Sequence, residues 1–425
     1  MGKSNTLTMP GYRERVIGAD VEAALKRRGA VLIQGARGVG KTWTSRDHAF
    51  SEVRLDDTDM LALAETDPDY LLSRPPPLLI DEWQYAPGLW NRIRRACDDR
   101  PGTGHFILTG SARPTDSITR HTGTGRITRL LMRPMTLWEA GISTGEVSLR
   151  RVLDGSMRPA AESRTTLLEV AKAVCRGGWP GSLDLAQTAA AASVRDYIQE
   201  AIRTDIEDAV GVRHNPDALE GLLRLISHDL ASPVTAAKLG RDMNPASPPA
   251  AQTLASYLDA LRRVFVLEDL PAWSPELRSK ATVRKAPKRH LVDPSLAAAL
   301  IGASPSSLMA NFSMFGRLFE SLTVRDLRVY AQPMGFHAYH YHDSDELETD
   351  VVIQGLDGTW ASFEVKLNSG PRQIEEAATA LKRLRDKAQR RRADQLALMA
   401  VITATKTAYM RPDGVAVIPI TALGP

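Results

Sequence analysis

One stretch near the start of the sequence has the residue types and spacing that bind a chain of phosphates. It follows the pattern G-x-x-x-x-G-K-[ST] and reads Gly35-Ala36-Arg37-Gly38-Val39-Gly40-Lys41-Thr42. Glycines let successive backbone N–H groups turn toward phosphate oxygens, and a helix that starts here adds the partial positive charge of its amino terminus. The Lys41 ammonium would reach the β- and γ-phosphates, and the Thr42 hydroxyl would bind Mg²⁺. The stretch therefore predicts a phosphate-binding loop for ATP and Mg²⁺; the alternative is a glycine-rich turn that matches by chance.

Two carboxylates follow a later apolar run and suit the chemistry of a bound nucleotide. Asp81 and Glu82 end the run 78–80, and Asp81 comes 40 residues after Lys41. At the end of a neighbouring strand, Asp81 would hold Mg²⁺ through water, and Glu82 would orient the attacking water or accept its proton. A strand followed by Asp-Glu says little by itself, so this interpretation rests on the distance from the loop and on the α/β pattern around it.

Hydroxyl and guanidinium groups follow the next apolar run, residues 105–108. Ser111 or Thr109 would lie between the nucleotide and the attacking water, although Ser111 could equally serve as a helix N-cap. One of the arginines that come next would stabilise charge on the transferred phosphoryl group, from its own or a neighbouring subunit. We choose Arg126 for this role; the alternative is that these arginines are surface residues.

A second set of acidic residues lies toward the carboxyl end of the chain. In the alternating run 360–367, Glu364 and Lys366 fall on one face of a strand. Asp350 opens the preceding apolar run, and Glu320 lies on a predicted helix before it. This spacing resembles the PD-(D/E)xK nuclease fold, in which two acids bind Mg²⁺ and the lysine positions or activates water. The alternatives are a surface ion pair between Glu364 and Lys366, or an inactive relative of that fold.

The order of apolar and polar segments predicts three parts. Residues 1–145 alternate buried apolar runs with helical stretches, which indicates a parallel β-sheet covered on both faces. Residues 146–290 are largely helical, and residues 291–425 form a second α/β unit. The expected fold class is therefore α/β, with a parallel-sheet P-loop NTPase domain, a helical and winged-helix middle region, and a carboxy-terminal nuclease-like α/β domain.

The middle part contains the pattern from which a winged helix is predicted. A helix starts near residue 232, a turn follows at 244–247, and a second helix over 250–263 leads into a strand at 264–267. The second helix would enter the major groove if this region binds DNA. It carries few base-reading side chains, so protein contacts are the alternative. The basic run 276–290 is interpreted as a linker or a surface loop.

The length, charge and composition of the sequence narrow the class of protein. The chain has 425 residues, and its formal net charge of +4 does not by itself imply nucleic acid. Cys97 and Cys175 have no metal-binding spacing, and so few cysteines fit a reducing cytosol. The sequence shows neither a signal peptide nor an apolar run of about 18 residues. We therefore expect a cytoplasmic protein that does not enter a membrane.

Taken together, these features resemble a large prokaryotic family of AAA-type ATPases in which an ATPase domain precedes a carboxy-terminal domain of unknown function. The matching strings are 35–42, 78–84, 108–111, 125–126, 133–139, 177–180, 286–293 and 363–366. The resemblance covers nearly the whole chain. It implies a cytoplasmic ATP-binding protein with a winged-helix segment and a nuclease-like carboxy-terminal fold, and it does not supply a substrate.

Two functions fit these expectations. The first is an ATP-hydrolysing switch or motor that acts with nucleic acid. The second is a nucleotide-binding regulatory or scaffold protein whose carboxy-terminal domain binds a protein partner and cleaves nothing. DNA and a protein are therefore both open as partners, and so is assembly into an oligomer.

Overall fold

The chain passes back and forth between two units in the computed structural model, which describes residues 7–112, 123–207, 214–275, 286–368, 370–392 and 395–425. Unit 1 comprises Met1–Pro134, Arg203–His214 and Asp259–Val266, and unit 2 comprises Met135–Ile202, Asn215–Leu258 and Leu267–Pro425. The division into domains 1–145, 146–290 and 291–425 stays a prediction.

A five-stranded parallel sheet forms the centre of unit 1. Its strands are β1 (Ala30–Gln34), β2 (Ser51–Arg54), β3 (Leu78–Asp81), β4 (Phe106–Gly110) and β5 (Ile127–Leu131), in the order β2-β3-β4-β1-β5. The helices of this unit are α1 (Ile17–Leu25), α2 (Lys41–His48), α3 (Thr58–Thr66), α4 (Pro68–Leu72) and α5 (Leu89–Asp99). Every residue of β1 is buried, as expected for a central strand of a parallel sheet covered on both faces.

The strand order decides where the predicted chemical groups can meet. Strands β3, β4 and β1 are neighbours and run parallel. The segments that follow these three strands therefore leave the sheet at the same edge. A core that contains Trp83 and Trp90, with ring centroids 5.0 Å apart, fixes the segment after β3 against the sheet.

Unit 2 combines helices with a larger, mixed sheet. Its helices are α6 (Leu149–Leu153), α7 (Leu167–Arg176), α8 (Gln187–Glu200), α9 (Pro216–His228), α10 (Ala236–Met243), α11 (Ala251–Arg263, whose last turn belongs to unit 1), α12 (Pro294–Leu300), α13 (Pro305–Ala310), α14 (Phe312–Ala331) and α15 (Pro371–Arg392). Its strands are β6 (Val147–Ser148), β7 (Ala161–Glu162), β8 (Leu267–Leu270), β9 (Lys288–Leu291), β10 (His337–His342), β11 (Glu348–Gln354), β12 (Trp360–Lys366), β13 (Leu396–Thr403), β14 (Thr407–Met410), β15 (Ala416–Pro419) and β16 (Leu423–Gly424).

The large sheet of unit 2 has the order β10-β11-β12-β13-β15-β14-β7. Strands β10, β11 and β12 are antiparallel neighbours, and α15 connects β12 to the parallel strand β13. Val351 pairs with Phe363 between β11 and β12. Because the strands are antiparallel, the next residues along them, Asp350 and Glu364, face each other across the same pair of strands. The nuclease-like interpretation of this unit stays a prediction.

The strand after α11 begins later than the sequence indicates. Residues 264–266 close the helix instead: Val266 N–H donates to the Leu261 carbonyl, and Phe265 adopts a φ of 57°. Such a left-handed residue is a usual way to end a helix. Strand β8 therefore starts at Leu267 and pairs antiparallel with β9. The winged-helix interpretation stays a prediction.

The basic run 276–290 is not a solvated loop where the structure describes it. Residues 276–285 lie outside the described residues. Lys288 and Arg289 form part of β9 and are only 1% and 5% exposed. The prediction of a linker or surface loop is therefore wrong for these two residues, because tertiary contacts bury their charges.

Candidate functional site

The predicted phosphate-binding loop follows β1 and ends where α2 begins. Gly40 lies at the N-cap of α2 with a φ of 100°, a conformation that favours glycine. Gly35 meets a different constraint, since a Cβ atom there would lie 2.1 Å from the Met132 carbonyl oxygen. The two glycines thus let the chain leave a buried strand and turn at once into a helix.

Lys41 lies inside this loop and is 5% exposed. Its Nζ donates hydrogen bonds to the carbonyl oxygens of Gly35 and Ala36, each at 3.0 Å. Burial lowers the pKa of Lys41 to about 8, although the carboxylates of Glu82 and Asp81 oppose the shift. The ammonium group is therefore held among the backbone groups that the sequence predicts as the phosphate cradle.

Asp81 joins the loop to the next strands. The Thr42 hydroxyl donates to its carboxylate at 2.9 Å, and the Thr109 hydroxyl donates to the same oxygen at 2.5 Å. Burial raises the pKa of Asp81, and the two hydroxyl donors oppose that shift. The two residues predicted to bind Mg²⁺, Thr42 and Asp81, are thus in direct contact.

Glu82 is held beside Asp81 by three neighbours. It adopts a φ of 55°, and its N–H donates to the Thr109 hydroxyl oxygen at 3.0 Å. Its carboxylate accepts a hydrogen bond from the Ser111 hydroxyl at 3.2 Å and one from Gln84 Nε2 at 2.5 Å. The sequence left Thr109 and Ser111 as alternatives, and the structure brings both to the site, one on each carboxylate. A helix that Ser111 could cap would involve residues beyond 112, which lie outside the described residues.

Gln84 and Arg15 contact the site without having been predicted for it. Gln84 comes close because Gly110 has no side chain: a Cβ there would lie 3.2 Å from Gln84 Oε1. Arg15 is buried, and its guanidinium donates to the carbonyl oxygens of Val39 at 2.7 Å and Arg133 at 2.8 Å. Gln84 belongs to the string 78–84 that supports the family resemblance, but that string gave Gln84 no role, and no motif surrounds Arg15.

The two arginines predicted for this site lie in different places. Arg37 is in the loop itself, and its Nη1 contacts Asp205 Oδ1 at 3.1 Å. Arg126 precedes β5, and its backbone carbonyl accepts a hydrogen bond from Ala30 at the amino end of β1. Its side chain pairs with Asp98 at 2.8 Å. Arg126 is therefore at the edge of the sheet opposite the loop of its own chain, and a role in a neighbouring subunit stays a prediction.

A second group of charged side chains lies in unit 2, and we call it the Lys288 cluster. Its members are Lys288 of β9, Glu320 of α14, Glu348 and Asp350 of β11, and Glu364 and Lys366 of β12. The structure thus brings together the four residues that the sequence predicts here and adds Lys288 and Glu348. Lys366 Nζ lies 2.7 Å from Glu364 Oε2 and 3.8 Å from Asp350 Oδ2.

The environment of the cluster shifts the pKa values of its acids in opposite directions. Burial raises the pKa of Glu320 and that of Glu364 to about 8, and the negative charge of Asp350 adds to both shifts. Burial also opposes ionisation of Asp350, but Lys288 and Lys366 outweigh it and hold the pKa of Asp350 below its ordinary value. Within the described residues, no set of three or more His, Cys, Asp or Glu side chains is arranged to hold a metal ion.

Several strings that support the family resemblance meet in a buried ion-pair network of unit 2. Arg325 contacts Asp293 and Asp326, each at 2.7 Å, and all three side chains are at most 3% exposed. Asp293 also accepts a hydrogen bond from Gly178 N–H, and Asp326 accepts one from Leu137 N–H. These strings therefore serve the packing of unit 2 rather than the site at the phosphate-binding loop.

Comparisons with known proteins bear on each part of the chain. Residues 27–141 match the family model described as "AAA domain". Residues 168–307 and 315–423 match two models described as "Domain of unknown function", DUF8612 and DUF4143. No curated protein matches the chain. Of the part of the chain that the structure describes, no helix has the length and apolar character needed to cross a membrane.

Two solved structures are similar at low identity. One is "the Walker-type ATPase paby2304 of Pyrococcus abyssi", with 14% identity, a TM-score of 0.42, and coverage of 70% of this chain and 98% of that chain. The other is a signal transduction ATPase with numerous domains and a tetratricopeptide repeat sensor, PH0952 from Pyrococcus horikoshii. It has 10% identity and a TM-score of 0.20, and covers 92% of this chain and 55% of that chain. Neither likeness is close enough to support an argument, so the assignment rests on the family model and the loop: residues 27–141 are an AAA-type P-loop domain.

Proposed function

We propose that this chain binds ATP with Mg²⁺ at residues 35–42 and hydrolyses it to ADP and phosphate. The observation that carries the proposal is the hydrogen-bond network after β1, β3 and β4. It joins Thr42 to Asp81, Asp81 to Thr109, and Glu82 to Ser111. A glycine-rich turn that matched the motif by chance would not require two carboxylates and two further hydroxyls at its mouth.

The residues of the network have separable tasks in this reaction. Backbone N–H groups of the loop and the Lys41 ammonium bind the phosphates, so the ammonium exchanges the Gly35 and Ala36 carbonyls for phosphate oxygens. Mg²⁺ prefers oxygen ligands and would neutralise charge on the phosphates, which fits the Thr42 hydroxyl and the Asp81 carboxylate. Glu82 accepts a proton from the water that attacks the terminal phosphorus.

The test of this function is ATP turnover by the purified full-length chain. Glu82→Gln should still bind nucleotide but lower the rate of phosphate release by about 10²–10⁴-fold, the usual contribution of a general base. Lys41→Ala should lose nucleotide binding. Lys26→Ala, which removes a lysine from an exposed position on the same unit, is the matched control and should leave turnover unchanged. Absence of binding in the wild-type chain, or full turnover in Glu82→Gln, would contradict the proposal.

Whether the chain acts on nucleic acid is a separate question. Two observations favour the alternative, a regulatory protein that does not act on nucleic acid. On α11, the helix that would enter a DNA groove, Asp259 pairs with Arg263 at 2.7 Å, so one of its basic residues already has an acidic partner. The acids of the Lys288 cluster are likewise paired with lysines. We therefore infer a nucleotide-driven regulatory protein whose unit 2 binds a protein partner.

ATP turnover measured with and without DNA at about 0.1 M salt decides this point, since phosphate contacts still act at that salt concentration. Stimulation by DNA would favour the switch or motor instead.

A further inference from the structure

We propose that Lys288 serves as the built-in cation of the Lys288 cluster and thereby closes it to a divalent metal ion. The proposal concerns unit 2 and does not depend on ATP hydrolysis in unit 1. It assigns a role to a residue that sequence patterns indicate as part of a solvated basic run.

The position of the Lys288 ammonium is the first observation. Its Nζ lies 2.9 Å from Glu320 Oε1, 2.8 Å from Glu348 Oε1 and 3.3 Å from Asp350 Oδ1. The Lys288 side chain is only 2% exposed. An ammonium group has three hydrogens to donate, and here it has three carboxylates within reach.

The way in which Lys288 is held is the second observation. It is the first residue of β9 and pairs with Leu270 of β8, so the backbone that carries it is fixed by a strand. The acids come from α14 and β11, which are separate from β9 along the sequence. Three separate segments of unit 2 therefore converge on one point, and that point is filled by a positive charge from the chain itself.

A divalent ion does not fit beside this ammonium group. Mg²⁺ needs oxygen ligands at about 2.0–2.1 Å in an octahedral arrangement. Two of the acids that the nuclease-like pattern provides as ligands, Glu320 and Asp350, face Lys288 instead, and Glu364 is paired with Lys366. A metal at their centre would have to displace Lys288 or meet its like charge at short range. The residues present thus disagree with the metal chemistry that the nuclease-like pattern implies.

The experiment measures Mn²⁺ binding by the nucleotide-free full-length chain, using the electron paramagnetic resonance signal of free Mn²⁺. The wild type and Glu364→Gln should bind Mn²⁺ identically, because the cluster takes no metal in either. Lys288→Met removes the charge and keeps an unbranched side chain that is one atom shorter. It should gain one Mn²⁺ per chain, with affinity raised by at least about tenfold, equal to roughly 1.4 kcal/mol. The gain should disappear in the double variant Lys288→Met, Glu364→Gln.

Lys382→Met is the matched control, since it removes the same charge from unit 2. Its partner Asp413 keeps Arg411 at 3.0 Å, so no cluster is vacated and Mn²⁺ binding should not change. A folded Lys288→Met chain that gains no Mn²⁺ would overturn the proposal. So would wild-type Mn²⁺ binding that is lost in Glu364→Gln. This last comparison needs no change at Lys288, so it decides the matter even where Lys288→Met does not fold.

Discussion

Thr109 makes two hydrogen bonds of the ATP site with one hydroxyl group. It donates to Asp81 and accepts from the N–H of Glu82, so it aligns both carboxylate residues at the end of β3. Two residues further on, the Ser111 hydroxyl donates to the Glu82 carboxylate. Thr109, one of the two alternatives that the sequence leaves open here, therefore contacts both Asp81 and Glu82.

Replacing Thr109 by Val should weaken the Mg²⁺-dependent step more than it weakens the fold. The side chains are similar in size, but Asp81 loses a donor and the Glu82 N–H loses its acceptor. We expect the free energy of unfolding to fall by about 1–3 kcal/mol, the usual penalty for unsatisfied buried groups. The concentration of Mg²⁺ needed for half-maximal ATP turnover should rise. Thr323→Val is the matched control, because Thr323 is also fully buried and its hydroxyl donates to a carbonyl of its own helix, that of Phe319. Equal Mg²⁺ requirements in the wild type and Thr109→Val would contradict the assigned role.

If Lys41 binds the phosphates as we propose, ATP binding should depend on pH in the alkaline range. Its pKa in the free protein is about 8, so about half of the molecules carry the ammonium form at pH 8. Phosphates favour the ammonium form and raise this pKa on binding, so ATP binding near pH 8 takes up protons. ATP affinity should therefore be full only well below pH 8 and should fall as the pH rises through that value.

Calorimetry of nucleotide binding at pH 8, in two buffers with different enthalpies of ionisation, measures this proton uptake. Lys41→Arg keeps a charged group that stays protonated at this pH, so any binding it retains should show no uptake at the loop. Uptake of the same size in both proteins would place the titrating group elsewhere.

At the scale of secondary-structure elements, the buried Arg325 network ties α12 and α14 to the segments around Met135 and Gly178. Gly178 is needed there, because a Cβ atom would lie 2.1 Å from the Met135 carbonyl oxygen. Arg325→Met would leave Asp293 and Asp326 buried without their cation. We expect the free energy of unfolding of unit 2 to fall by about 3–5 kcal/mol.

Chemical denaturation followed by circular dichroism tests this expectation. Arg385→Met serves as the control, since Arg385 pairs with the exposed Asp386 of the same helix and should cost less than about 1 kcal/mol. Equal losses in the two variants would mean that the network does not stabilise unit 2 beyond an ordinary surface pair.

The elements near the loop could be predicted because their signals are local. The glycines, Lys41 and Thr42 are consecutive, and Asp81 directly follows an apolar run. Lys288 could not be predicted in the same way. It lies in a basic run of the sequence, and the carboxylates that contact it, Glu320, Glu348 and Asp350, come from distant parts of the chain. Arg15 was missed for the same reason, since its partners Val39 and Arg133 lie 24 and 118 positions away.

For the molecule as a whole, the path of the chain raises the question of how the two units unfold. Segments Arg203–His214 and Asp259–Val266 belong to unit 1, although the residues around them belong to unit 2. Each unit nevertheless has its own sheet, and residues 35–42, which we propose bind nucleotide, lie in unit 1. A ligand that binds one folded unit stabilises that unit directly, by an amount set by its concentration relative to Kd.

We therefore expect ADP with Mg²⁺ to raise the stability of one unfolding transition and leave the other unchanged. At a nucleotide concentration about 100 times Kd, the gain is about 2.7 kcal/mol. Arg325→Met identifies the transition of unit 2 by lowering it, and Lys41→Ala should abolish the shift in the transition of unit 1. Differential scanning calorimetry with and without nucleotide makes the comparison. A single transition that nucleotide shifts as a whole would show instead that the returning segments couple the two units into one cooperative structure.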